Sequence, residues 1–159
     1  MASSPLCAGE PVDFYANHGY IYEQDATIGS LVPELEKRGI AESIDGLSIA
    51  KLRLLENPRV RPILDPYLDR LDVRLCTTLG PDPHHYFVLS LEPGQKDRII
   101  VHLLSLGSQA ELTENSHLDS PGSGRLTGAP ASNGFIEVPK PALKQRGCPV
   151  PVQLEAGGL

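Results

Sequence analysis

Ile100-Val-His-Leu-Leu-Ser-Leu106, then Gly107, then Ser-Gln-Ala-Glu-Leu-Thr113, then Glu-Asn-Ser-His-Leu118: this stretch decides the fold class of the 159-residue chain. Its first part extends an apolar run from Arg98 to Leu106. After the glycine, Gln109 to Thr113 forms a further extended piece. Runs rich in Val, Ile, Leu, Thr and aromatics, bounded by Gly, Pro or Asp, read as strands. Two upstream runs have the same character, Val73 to Leu79 and His85 to Leu91. Glu92-Pro93-Gly94-Gln95 has turn chemistry, so His85–Leu91 and Arg98–Leu106 are expected to pair as an antiparallel hairpin. Downstream, residues 119–134 are rich in Gly, Ser and Pro without apolar periodicity, which predicts a long flexible loop. Phe135 to Val138 follows as a short apolar piece. Pro141 to Arg146 reads as a helical turn closed by Gly147, and Val150 to Leu154 alternates as a last strand.

The N-terminal part is different in kind. Residues 1–24 show no sustained period and read as an irregular lead-in. Ser30 has the chemistry of a helix N-cap, with Pro33 and Glu34 in the first turn and Gly39 as the stop, which predicts a helix over 31–38. Ile40 to Ile44 alternates as a short strand would, Asp45-Gly46 turns the chain, and Ser48 opens a second helix through Glu56. Asn57-Pro58 and Asp65-Pro66 each place a capping side chain before a proline, predicting two more short helices. Across them Val60, Ile63, Leu64, Tyr67, Leu68 and Leu71 share one helical face, the expected core. The expected organisation is a lead-in over 1–24 and a single domain over 25–159, with a helical part at 25–72 and a β part at 73–159.

Composition narrows the function classes. Apolar residues make up 40% of the chain, enough for one domain with a core. A net charge of -6 and the absence of a Lys/Arg cluster argue against nucleic acid, since the densest basic stretch is Arg59 to Arg61. No apolar run approaches the roughly 18 residues that a membrane span needs, and Met1 to Pro11 lacks the pattern of a secretory signal, so a cytoplasmic location is expected. Cys7, Cys76 and Cys148 are odd in number and far apart, which suggests idle thiols rather than disulfides or a zinc site.

The histidines are the residues with the most chemistry to offer. His117-Leu118-Asp119 has the His-x-Asp spacing that can present an imidazole and a carboxylate to non-haem iron, but no histidine follows it. A further ligand would have to come from His18, His84, His85 or His102. His84 and His85 open a strand, so their side chains point to opposite faces. His102 lies inside an apolar run and reads as a sheet residue. Ser116, His117 and Asp119 are too close in sequence to form a hydrolase triad, and Gly122-Ser123-Gly124 and Gly157-Gly158 lack the surroundings of a phosphate loop.

The stretch Ile100 to Leu118, an apolar strand, a glycine, a second strand and a turn ending Asn115-Ser-His-Leu118, resembles the middle of the phytanoyl-CoA-dioxygenase-like proteins, with Asn115 where that family has glycine. Leu31 to Ile44 looks like the family's opening helix ending in Arg-Gly, and Val150 to Gly157 like its late strand ending in Glu-Ala-Gly. The resemblance implies an α+β fold: short N-terminal helices followed by an antiparallel double-stranded β-helix of the jelly-roll or cupin kind, here incomplete. It implies Fe(II) and 2-oxoglutarate as cofactors and hydroxylation of a small organic substrate. The family's His-x-Asp would fall at His85-Tyr86-Phe87, leaving His85 as the candidate metal ligand with no carboxylate two residues on. The Ser116-His117 pair corresponds to a turn, and the chain ends before the position of the distal histidine. An incomplete sheet leaves open strand edges, so the alternative implied is a non-catalytic binding or assembly module whose protein partner completes the sheet.

Overall fold

A computed structural model describes residues 10–68, 80–92, 99–118 and 126–159. Among them the chain is a mixed α+β structure. Four helices come first: α1 (Pro11–His18), α2 (Ala26–Lys37), α3 (Ile44–Glu56) and α4 (Arg61–Leu68). Then follow β1 (Phe87–Val88), β2 (Ser108–Thr113), β3 (Ala129–Pro130), β4 (Ile136–Glu137), α5 (Lys140–Leu143) and β5 (Pro149–Leu154). No helix among the described residues is long and apolar enough to cross a membrane.

The helical part departs from its sequence reading at several caps. α1 occupies the stretch expected to be irregular, and Gly19 closes it in the left-handed conformation, φ +83°. The cap of α2 is Asp25, whose carboxylate accepts from Thr27 N and Ile28 N, while Ser30 sits inside the helix and donates to the Ala26 carbonyl. Pro33, expected in the first turn, therefore lies in the helix interior. Ile40 to Ile44 is not a strand: Ser43 caps α3 by accepting from Gly46 N, and Asp45-Gly46 is its first turn. Gly46 is glycine because of close approach, since a Cβ there would lie 2.1 Å from the Ile40 carbonyl oxygen. The two short helices expected after Asn57 merge. Asn57 accepts from Arg59 N and Val60 N as foreseen, but Asp65 lies within α4, 3.7 Å from Arg61 one turn earlier.

Two apolar clusters lie under these elements. Ile28, Val60 and Leu159 form one, with Ile21, Leu54, Leu64 and Leu103 against them. Of the expected helical face, Val60 and Ile63 are buried, while Leu64, Tyr67 and Leu68 are half-buried and Leu71 lies outside the described residues. Leu126, Val138 and Leu143 form the second cluster, beside Tyr86, Val88, Leu91 and Ile136.

β2 and β5 pair antiparallel from Ser108↔Leu154 to Thr113↔Pro149. Val152 and Leu154 are buried and Gln109, Glu111, Pro149, Pro151 and Gln153 are exposed, so this sheet has one apolar and one polar face. Glu114 N donates to the Cys148 carbonyl and Gly107 N to the Leu154 carbonyl, which shows that the even-numbered residues of β5 direct their backbone at β2. Pro149 and Pro151, lacking N–H groups, therefore face away from it. The second sheet has the order β1-β4-β3, with only two residues per strand.

Several β expectations are corrected here. β1 pairs with β4 rather than with the run after Gly94, and within residues 99–106 only Leu104 makes a bridge. The expected strand at Val73–Leu79, the residues of the turn after Glu92 and the first part of the 119–134 loop lie outside the described residues. The rest of that loop holds a buried Leu126 and β3, paired to β4, so it is built into the second sheet.

The last residues return to the helices. Gly158 bridges both Gln24 and Leu104, and Leu159 exchanges backbone hydrogen bonds with Glu23. A Cβ on Gly158 would lie 1.9 Å from the Glu23 carbonyl oxygen, and one on Gly29 would lie 2.1 Å from that of Ala156. The Gly157-Gly158 pair is therefore a close-approach element joining α2 to the end of β5, a role that composition alone did not reveal.

Candidate functional site

His85 stands on the exposed lip of the second sheet. His84 before it adopts φ +76°, which turns the chain so that the His85 ring lies between two carboxylates. Its Nδ1 is 2.8 Å from Glu137 Oε1 on β4, and its Nε2 is 3.8 Å from Asp82 Oδ1. The carboxylates take opposite edges of the imidazole. About half of each side chain is exposed to solvent, 50% for His85, 45% for Glu137 and 52% for Asp82.

His18 and His117 meet elsewhere, at the C-terminal end of α1. His18 Nδ1 is 2.5 Å from Glu114 Oε1, and its ring stacks on Phe14 at 4.1 Å. The Asn115 N–H donates to the His18 carbonyl, with Asn115 itself at φ +61°. His117 Nε2 lies 3.2 Å from the Ala16 carbonyl oxygen. A carbonyl only accepts, so Nε2 carries the hydrogen, and the buried Nδ1 has no hydrogen-bond partner. The ring fits there because residue 19 is glycine, whose Cβ would lie 2.1 Å from Nδ1. Both imidazoles thus secure the last turn of α1, where carbonyls lack helical partners.

Of the remaining histidines, His84 and His102 are exposed, and His102 lies outside any named strand. Asp119 and Gly122 to Gly124 lie outside the described residues, as do Cys7 and Cys76, while Cys148 is an exposed free thiol.

A non-haem iron site needs two imidazoles and a carboxylate converging on one point. Among the described residues no three His, Cys, Asp or Glu side chains are grouped to hold a metal. At His85 the donors diverge, with one carboxylate on each ring edge. At α1 each imidazole is directed to a separate partner. The arrangement of the described imidazoles and carboxylates does not fit Fe(II). No family model, curated protein or solved structure matches the chain.

A second polar centre was missed by the sequence reading. Asp25 Oδ1 caps α2, and its Oδ2 lies 3.4 Å from Asn57 Nδ2; Asn57 in turn caps the approach to α4. One buried amide thereby links two helix starts. Beside it, Arg59 Nε is 3.3 Å from Glu23 Oε2. Burial holds the Glu23 carboxyl above its usual range; Arg59 pulls it down and Asp25 adds to the rise. Glu23, Asp25, Thr27, Arg53, Glu56 and Asn57 edge an open cleft of about 320 Å³. The available signal was Asp25 three residues before the apolar Ile28, a cap pattern overshadowed by Ser30 and Pro33.

Proposed function

We propose that this chain is a non-catalytic binding or assembly module, built on a scaffold related to the double-stranded β-helix of Fe(II)/2-oxoglutarate oxygenases. The observation that carries the reading is the placement of the imidazoles. His18 and His117 fasten α1, and His85 joins the start of β1 to β4 through Glu137. Candidate ligands engaged in this way serve local contacts within the fold rather than a metal.

The partner in this reading is a protein that adds a strand. Pro149 and Pro151 remove two donors from the outward edge of β5 and disfavour pairing there. On β2 it is the odd-numbered residues, Gln109 and Glu111 among them, whose N–H groups point away from β5, and among the described residues β2 has β5 as its one strand partner. Strand addition at β2 uses main-chain hydrogen bonds for affinity and alternate side chains for specificity. In sedimentation velocity, association of the purified chain should rise with concentration and weaken in Gln109→Pro, which removes an outward donor and leaves the ladder to β5 intact. A monomer at every concentration contradicts self-assembly through this edge.

The catalytic version has His85 as one ligand of Fe(II), 2-oxoglutarate as co-substrate and a small organic molecule as the species hydroxylated. Titration with Fe(II) and 2-oxoglutarate separates the two readings. The module reading predicts no visible charge-transfer band at saturation, and a saturable band supports the oxygenase.

A further inference from the structure

α1 is attached differently from the other long helices. None of its eight residues is buried, whereas α2 buries Ile28, Gly29, Leu31 and Leu35. An isolated helix of this length is unstable in water, so α1 is helical because of what it touches. It packs against α4, and the side-chain interactions it makes are aromatic or polar. Tyr15 faces Tyr67 on α4, and burial, with Tyr67 beside it, pushes the Tyr15 phenol up to about 12. The His18–Glu114 pair, the Asn115 N–H on the His18 carbonyl and His117 on the Ala16 carbonyl hold its C-terminal end. The chain then turns at Gly19, whose positive φ makes it a natural pivot.

We propose that α1 is a hinged clasp that swings open at Gly19 while the rest of the fold stays intact, with the His18–Glu114 pair as its catch. Segments with little buried apolar surface open with free energies far below that of global unfolding. Opening frees the parts of the Tyr67 ring and of the 114–117 turn that α1 covers in the closed form.

Native-state hydrogen exchange on the full chain tests this. The amides of Tyr15 to Gly19 should exchange at least about tenfold faster than that of Leu35 in the wild type. Glu114→Gln should speed the α1 amides by a further factor of roughly five, the scale of a partly exposed ion pair, and leave Leu35 unchanged. His18→Gln should give the same pattern, and serves if Glu114→Gln does not fold. Exchange of α1 at the rate of Leu35 overturns the clasp; equal acceleration of both helices, or none in α1, overturns the catch.

Discussion

β2 and β5 face each other over six residues, while β1, β4 and β3 are held together over two residues each. The long ladder has a polar face and an apolar one, and its apolar residues Val152 and Leu154 are buried. The short sheet has no room for such alternation. Its strands are fixed from outside, by the buried Val138 and Leu143 on one side and the His85–Glu137 pair on the other. The contrast shows two ways of ordering extended chain: through its own repeated pattern, or through tertiary contacts at single residues.

That contrast can be broken most severely at Leu154, which is 0% exposed. Leu154→Ala should cost about 2–5 kcal/mol, read as a fall in the denaturation midpoint at unchanged slope. Val138→Ala, beneath the short sheet, removes two carbons and should cost roughly 2 kcal/mol. An equal or larger loss at Val138 would mean that the short sheet is the principal support of the fold.

The long ladder was legible because alternation over several residues has one physical cause. The sequence reading places strands at 109–113 and 150–154, each one residue short at its N-terminal end. The pairing of the short sheet was not legible, although the strand read at His85 to Leu91 contains β1. Phe87 and Val88 pair with residues about fifty positions away, and nothing local in either segment announces a partner. The caps divide in the same way. Asn57 before Pro58 gave a sufficient local signal, whereas Asp25 and Ser43 were displaced in the reading by Ser30 and Ser48, which lie inside their helices and donate to carbonyls four residues back. Gly157 and Gly158 looked like turn or filler residues because the backbone that each approaches comes from a different segment.

The histidines follow from the same point. Spacing in the sequence offered His117-x-Asp119 as metal donors and the family resemblance offered His85, but the ring partners are set by distant residues, Ala16 for His117 and Glu137 for His85. Only the fold could assign them.

Two smaller effects sharpen the comparison. Asn57→Ala removes the amide that caps the approach to α4 and reaches Asp25, and should cost about 1–2 kcal/mol in thermal or denaturant unfolding. A loss within error would show that the two helix starts are not coupled through it. Glu137→Gln keeps the shape of the His85 partner and removes its charge. With both groups about half exposed, the expected change is below about 1 kcal/mol and should shrink further in high salt. A larger, salt-insensitive loss would mean that the short sheet depends on this one pair.

Histidine ring nitrogens report directly, by NMR, on whether the imidazoles are engaged within the fold or by a metal. With 2-oxoglutarate present and Fe(II) added to one equivalent, the ring signals of His18, His85 and His117 should keep their positions and intensities, with His117 as the Nε2-protonated tautomer. Stoichiometric broadening of His85 together with a second histidine would show that these rings bind the metal instead.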